Sequence, residues 1–302
     1  MTALDLKSRV SSLRKRLRLH RKERIIVVSC VALVASYPVF DWLKTRAAAP
    51  TPEPSLPGGY YEEEFTLVLN APPYGKIYYT TDGSTPSENS QVYHGGIPIT
   101  DRSAEPNVYH SIRNVVMDWK NFTPDQELVN KGTVVRAVYI SDWGSKSDIL
   151  TQTYFVGIQP PEQGYTLSLV FEDEDVFGED GIYVTGKAYD DWYLNDGTGD
   201  APLPNYMVKR EVGAVAELLG DTGDVMNQKV GIRIQGKSAR ERWDKRFTLV
   251  ARKEFGGSPV FDTVLYDGVL THSVMLKSQL PDAIVGDLAS DRAVALQGSI
   301  PV

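Results

Sequence analysis

Cysteine occurs once, as Cys30, and histidine four times in a chain of 302 residues. A lone cysteine cannot close an internal disulfide, so cysteine usage assigns no redox compartment. One cysteine and four scattered histidines also exclude a zinc site of ordinary Cys/His spacing. There is no Walker-type phosphate loop, residues 220–223 reading as a turn, and the acidic stretches lack the EF-hand spacing of a calcium loop. What is present is 42% hydrophobic, 24% charged and 10% aromatic residues, which describes a globular chain and excludes a disordered, collagen-like or disulfide-stapled one. The length suits about two domains.

Charge is sorted along the chain. Residues 1–24 carry nine Lys/Arg against Asp5 and Glu23, a balance of +7, and since the whole chain carries -7, the remainder carries -14. Such sorting implies two compartments or two partners. After the basic stretch come sixteen uncharged residues, 25–40, which Trp42 and Leu43 extend to an apolar span over 25–43. As a helix, sixteen residues cover roughly 24 Å, near a hydrocarbon core of ~30 Å. Arg24 can snorkel and Trp42 suits the membrane interface. One reading is an uncleaved signal-anchor with the basic segment 1–24 cytoplasmic and the bulk extracytoplasmic; the other is a cleaved signal peptide with Ala47, Ala48 and Ala49 as its small-residue site. The long Arg-rich leader favours the anchor. No aromatics interleave with the basic run, so it reads as a topology signal and nucleic acid is not expected as a partner.

Residues 44–59 form a Pro-rich linker, expected to be a stiff, extended spacer. From 60 to 157 short alternating runs are punctuated by turns: strands are expected at 65–69, 76–80, 133–139 and 151–156, with turns at 70–73 and 82–86. That spacing points to an immunoglobulin-type β-sandwich. The run Ile77-Tyr78-Tyr79-Thr80-Thr81-Asp82-Gly83-Ser84-Thr85-Pro86, followed by Tyr93, by Ile97-Pro98-Ile99 and by an ending through Val135–Tyr139 and Tyr154–Val156, resembles the chitobiase/β-hexosaminidase C-terminal type of sandwich. This chain adds an insertion, 101–132, with Trp119 and Phe122. The module reads as a spacer with Asp82 capping a turn, or as a glycan or cell-surface contact made through the insertion's aromatics.

In the C-terminal half, 165–171 is a strand, 172–175 a solvated acidic loop, and 181–186 a further strand. The run 212–219 is helix or strand by periodicity alone. Val230, Ile232 and Ile234 alternate with Arg233 as a strand; 245–252 is the next, and 282–296 shows a helical apolar pattern. The opening from Leu167 to Gly186, with the block Gly231, Ile232, Arg233, Ile234, Gly236, Ser238, Arg240, Lys245, Phe247, Leu249, Ala251, Arg252, Glu254 and Gly256, resembles the CotH family of kinase-like proteins known from bacterial spore coats. The order of anchor, sandwich and CotH-like region (164–302) also occurs in that family.

The resemblance implies an atypical protein kinase using ATP and Mg2+ on surface or spore-coat proteins. It implies that Lys245, set opposite Phe247 on its strand, grips nucleotide phosphate, with Arg233 and Arg240 as second choices. Each has a plain alternative as a surface cation. Asp282, in Ser278-Gln279-Leu280-Pro281-Asp282, departs from the family's glycine-rich pattern, and the metal-binding and catalytic acids would be expected beyond Val302. The chain is thus expected to be a portion of a longer product, inactive by itself. The fold expected is mainly β with some α: a transmembrane helix, an immunoglobulin-like sandwich, then an incomplete α+β kinase-like domain. A non-catalytic surface protein that binds glycan or protein is the alternative.

Overall fold

The computed structural model describes residues 48–124, 127–161, 165–220, 223–262, 271–276, 285–287 and 293–298. The basic leader, the apolar span 25–43 and Asp282 lie outside the described residues. Among those described, no helix is long and apolar enough to cross a membrane.

The first unit comprises β1 (Glu53–Pro54), β2 (Gly59–Tyr61), β3 (Phe65–Leu67), β4 (Leu69–Asn70), β5 (Gly75–Thr80), β6 (Gln91–Val92), β7 (Ile97–Ile99), β8 (Thr133–Ser141) and β9 (Leu150–Val156). A five-stranded sheet in the order β2-β9-β8-β5-β6 faces the pairs β3-β7 and β1-β4. Inward residues of both layers, Leu67, Ile97 and Ile99 against Val135, Ala137, Tyr139 and Tyr154, form one core, which makes the unit a β-sandwich. The Pro-rich segment is not a free spacer. β1 pairs with β4, and β2 runs parallel to β9 in register Gly59↔Tyr154, so part of the segment is woven into the sandwich.

The second unit comprises β10 (Tyr165–Phe171), α1 (Asp173–Val176), α2 (Lys187–Leu194), β11 (Val212–Gly220), β12 (Gly223–Gln235), β13 (Arg246–Val250), β14 (Ser273–Met275), β15 (Val285–Asp287) and β16 (Ala293–Gly298). They make a seven-stranded sheet in the order β14-β13-β12-β11-β10-β16-β15. Every pair in it is antiparallel.

Three expectations change here. The ambiguous run 212–219 is a strand, because it lies between β10 and β12 and is hydrogen-bonded to both. The helix expected over 282–296 is not formed in its described part: Ala293–Gly298 is a strand beside β10, and Val285–Asp287 pairs with it. A short apolar run is ambiguous in period, and an open strand edge resolves it. The strand expected at 181–186 is an irregular segment, buried from Ile182 to Thr185. Its amides donate elsewhere: Ile182 to the Asp175 carbonyl at 3.0 Å, Tyr183 to Val176 at 2.9 Å and Thr185 to Asn114 at 2.7 Å. Those bonds satisfy the buried backbone without a ladder.

The two units stack sheet on sheet. Val134 and Phe155 of the sandwich pack against Val170 and Leu219 of the second sheet, so β8, β9 and β10 are buried along nearly their whole length. The opposite face of the second sheet carries a larger core of Leu169, Phe171, Ala216, Ile232, Phe247 and Leu249. Part of its cover comes from the first unit. Residues 101–124 of the insertion leave the sandwich as an arm, and Tyr109 and Val115 are buried in the second core with Ile112, Val116 and Phe122 packed beside them.

Candidate functional site

The arm, the irregular segment 181–186 and the turn before β13 meet over Tyr206. Lys245 stands one residue before β13, and its side chain turns inward, 4% exposed. It is therefore neither a strand residue opposite Phe247 nor a surface cation. Its Nζ donates to the carbonyl of Val115 on the arm and to that of Arg242 at 2.6 Å. The same ammonium sits 4.1 Å from the ring centroid of Tyr206 and 5.1 Å from that of Tyr183. Ring faces and carbonyls are the surfaces that offset the desolvation of a buried ammonium. The offset is partial: burial pulls the Lys245 pKa down to about 7, against an opposing upward pull from Asp244. The backbone is fixed too, since Lys245 N–H donates to Tyr183 Oη at 2.9 Å and Tyr183 O–H donates to the Trp243 carbonyl at 2.8 Å. Burial pushes both the Tyr183 and the Tyr206 phenols up, so both stay neutral.

Arg240 reaches the same residue from the other side. It is buried; its Nε donates to the Gly236 carbonyl at 2.7 Å and its Nη1 to the carbonyls of Tyr206 at 3.2 Å and Met207 at 3.0 Å. Lys245 and Arg240 thus converge on Tyr206, and neither forms an ion pair among the described residues. Arg233 is not brought to this place. It pairs with Glu211 at 2.8 Å, and Arg252 takes the other oxygen of that carboxylate at 2.9 Å, a half-exposed bridge on the sheet surface. Such bridges contribute about 0–1 kcal/mol.

The donor set can be tested against ATP and magnesium. A buried ammonium over the ring of Tyr206, whose buried hydroxyl has no hydrogen-bond partner among the described residues, is a pairing that suits a phosphate oxygen, although Asp244 acts electrostatically on Lys245 and Glu241 and Asp190 on Tyr206. No group of three or more His, Cys, Asp or Glu able to hold a metal occurs among the described residues. The acidic stretches are used otherwise. Glu172 pairs with Arg136 at 3.2 Å, while Asp173 opens α1 and takes the Tyr109 hydroxyl at 2.7 Å. The loop after α2 wraps Trp192, whose indole N–H donates to the Thr198 carbonyl at 3.1 Å.

In the sandwich, the Thr81–Pro86 signature is a joint. Asp82 Oδ1 accepts from Ser84 N–H at 2.9 Å and from Ser84 Oγ at 2.6 Å, which caps the turn, and Gly83 supplies the positive φ of +77°. Arg136 Nη1 donates to the Gly83 carbonyl at 3.0 Å, to Thr85 Oγ1 at 2.9 Å and to Glu172, which ties the turn to the second unit. The insertion's aromatics are turned the same way: Phe122 packs on the second core, and Trp119 meets Tyr193 edge-on at 5.5 Å.

A family model described as "Fn3 associated" matches residues 66–154, the body of the sandwich. That match agrees with a chitobiase-like sandwich, and no CotH-family match accompanies it. No curated protein and no solved structure matches the chain.

Tyr206 and Val115 completed the site without a sequence signal, while Tyr183 lies in the 181–186 run that the sequence marks as a strand. Their convergence depends on the arm crossing between units. The polar joint at Glu217, fully buried on β11, was equally hidden. It accepts from Thr153 N–H at 3.1 Å, Thr153 Oγ1 at 2.5 Å and Asn227 Nδ2 at 3.4 Å. A single Glu within an apolar strand is the one trace it left.

Proposed function

We propose that the protein is a single-pass, membrane-tethered, extracytoplasmic CotH-like protein. Its second unit is the phosphate-gripping portion of an atypical ATP-dependent kinase that modifies surface or coat proteins. The observation that carries this reading is the buried Lys245 ammonium, with no ion pair among the described residues, over the ring of Tyr206, whose hydroxyl has no hydrogen-bond partner there and whose backbone carbonyl Arg240 holds. In phosphoryl transfer a positioned lysine and arginine bind phosphate oxygens and spread their charge, which is the share of the chemistry these side chains can perform. Isothermal titration of the detergent-solubilised full chain with ATP tests it. Measurable binding that falls at least tenfold in Lys245→Met, and is unchanged in a Lys146→Met surface control, is the expected result. Equal affinity in wild type and Lys245→Met would remove the assignment.

A second reading, a non-catalytic surface protein that contacts glycan or protein, is favoured by one feature. Trp192 and Tyr193 stack at 6.4 Å beside Trp119, with exposed Leu194 and Met117 on the same part of the surface. Quenching of tryptophan fluorescence by added oligosaccharide, lost in Trp192→Ala, would support that alternative.

A further inference from the structure

The three N–H bonds of the Lys245 ammonium are all engaged. Two point to the carbonyls of Val115 and Arg242 and the third faces the Tyr206 ring, at 4% residue exposure. An anion has no open approach to this amine. The blocking group, the Val115 carbonyl, belongs to the first unit and lies 130 residues earlier in the chain. We infer that the arm, residues 101–124, is an autoinhibitory gate: its Val115 carbonyl occupies the place of a phosphate oxygen, and the arm must lift before the grip can close on phosphate. The inference rests on the phosphate-grip reading and adds its regulation.

The arm is built to move as a piece. It contains no strand, only the 3-10 turn Tyr109–Ser111, so lifting it breaks no ladder. Its base is clipped by Asn107, whose Nδ2 donates to the Glu127 carbonyl at 2.6 Å and whose Oδ1 accepts from Val129 N–H at 3.3 Å. Beyond the clip the arm is held down by the burial of Tyr109 and Val115 in the second core and by a set of hydrogen bonds. Tyr109 O–H donates to Asp173, the Asn114 carbonyl accepts from Thr185 N–H, Asn114 Nδ2 donates to Asp190 Oδ2 at 2.8 Å and Lys120 Nζ donates to the Tyr193 carbonyl at 2.6 Å. Replacing the neutral carbonyl on Nζ by a charged phosphate oxygen gives a stronger hydrogen bond, so phosphate competes for the position the arm now fills.

Two readouts on the full chain test the gate. The first is pulse acylation of Lys245 read by peptide mass spectrometry against exposed Lys187; the second is pyrophosphate affinity by titration. Wild-type Lys245 is expected to label at least ~10-fold more slowly than Lys187. Asn114→Ala, which loses the Asp190 bond, is expected to raise labelling ~3–10-fold and to tighten pyrophosphate by the same factor, because apparent affinity scales with the open fraction. Tyr109→Phe keeps the ring and removes the hydroxyl's bond to Asp173, and it should act in the same direction should Asn114→Ala fold poorly. Labelling of wild-type Lys245 at the Lys187 rate overturns the gate. So does faster labelling in the loosened variants with unchanged pyrophosphate affinity; if Lys245→Met still abolishes binding, the grip stands without the gate. Absence of pyrophosphate binding in wild type and loosened variants alike removes the grip reading and the gate with it.

Discussion

Lys245 carries an amine whose ordinary pKa, 10.5, is brought to about 7 by burial. For a base whose folded pKa is depressed, the fold disfavours the charged form. The penalty is absent above the unfolded pKa, grows as pH falls from 10.5 toward 7, and is constant below that. Stability of the wild-type protein should therefore rise between pH 7 and 9.5, by up to about 3 kcal/mol from this group. Urea melts at four pH values in that window check it. Lys245→Met, which keeps the length of the side chain without the charge, should flatten the slope, and an unchanged slope would place the titration elsewhere. The window stops short of the range in which Tyr154, Tyr183 and Tyr206, all raised by burial, would act in the opposite sense. The sequence puts Lys245 first and Arg233 and Arg240 second, and the fold sends Arg233 to the Glu211 bridge. Nothing in the residue types distinguishes these cations, because what separates them is which one has a buried wall of carbonyls and rings around it.

At the scale of elements, short runs rich in β-branched and aromatic residues and punctuated by turn residues were legible as strands. The expected 76–80, 133–139 and 151–156 fall within Gly75–Thr80, Thr133–Ser141 and Leu150–Val156. Segments whose conformation is set by a neighbour were not. Ile182–Thr185 alternates like a strand yet spends its hydrogen bonds on α1 and the arm, and the end of the helical apolar pattern over 282–296 falls in Ala293–Gly298, which fills the free edge of β10. The same dependence governs β11, where Glu217 is placed to receive Thr153 of β9. Glu217→Ala leaves the donors of Thr153 and Asn227 without their acceptor and should cost about 2–4 kcal/mol. Glu217→Gln, which keeps an acceptor oxygen, should cost about half as much. Thermal melts of the two variants give the comparison, and equal losses would assign the effect to packing.

Across the whole molecule, the serial arrangement expected from the sequence becomes a layered one: a thin sheet pair, the five-stranded sheet, the seven-stranded sheet, and a cover of arm, α1 and α2. The sandwich reads from the sequence as an independent module, and its own core would support that. Its outer face is nevertheless apolar at Val134 and Phe155, and the second unit is roofed in part by Tyr109 and Val115. The two units are therefore expected to unfold together, as one calorimetric transition whose enthalpy equals the van't Hoff value. Two resolved transitions would show the stacking to be incidental. Expressed alone, residues 48–161 should self-associate through the uncovered β8–β9 face, which sedimentation measures directly.

The parallel pairing of β2 with β9 has a mechanical side. The chain enters the sandwich at Gly59 and leaves it past Val156 toward β10, and the two strands are held by the register Gly59↔Tyr154, Tyr60↔Phe155 and Tyr61↔Val156. With the pair parallel, tension applied between the N-terminal side and the second unit draws the two strands in opposite directions along their length. The cross-strand bonds, with Gly157 N–H to the Tyr61 carbonyl at 2.9 Å at the end of the row, are then loaded in shear and share the force, where an antiparallel hairpin would peel open bond by bond. A protein held at one end and pulled at the other would meet its highest resistance to rupture at this short ladder.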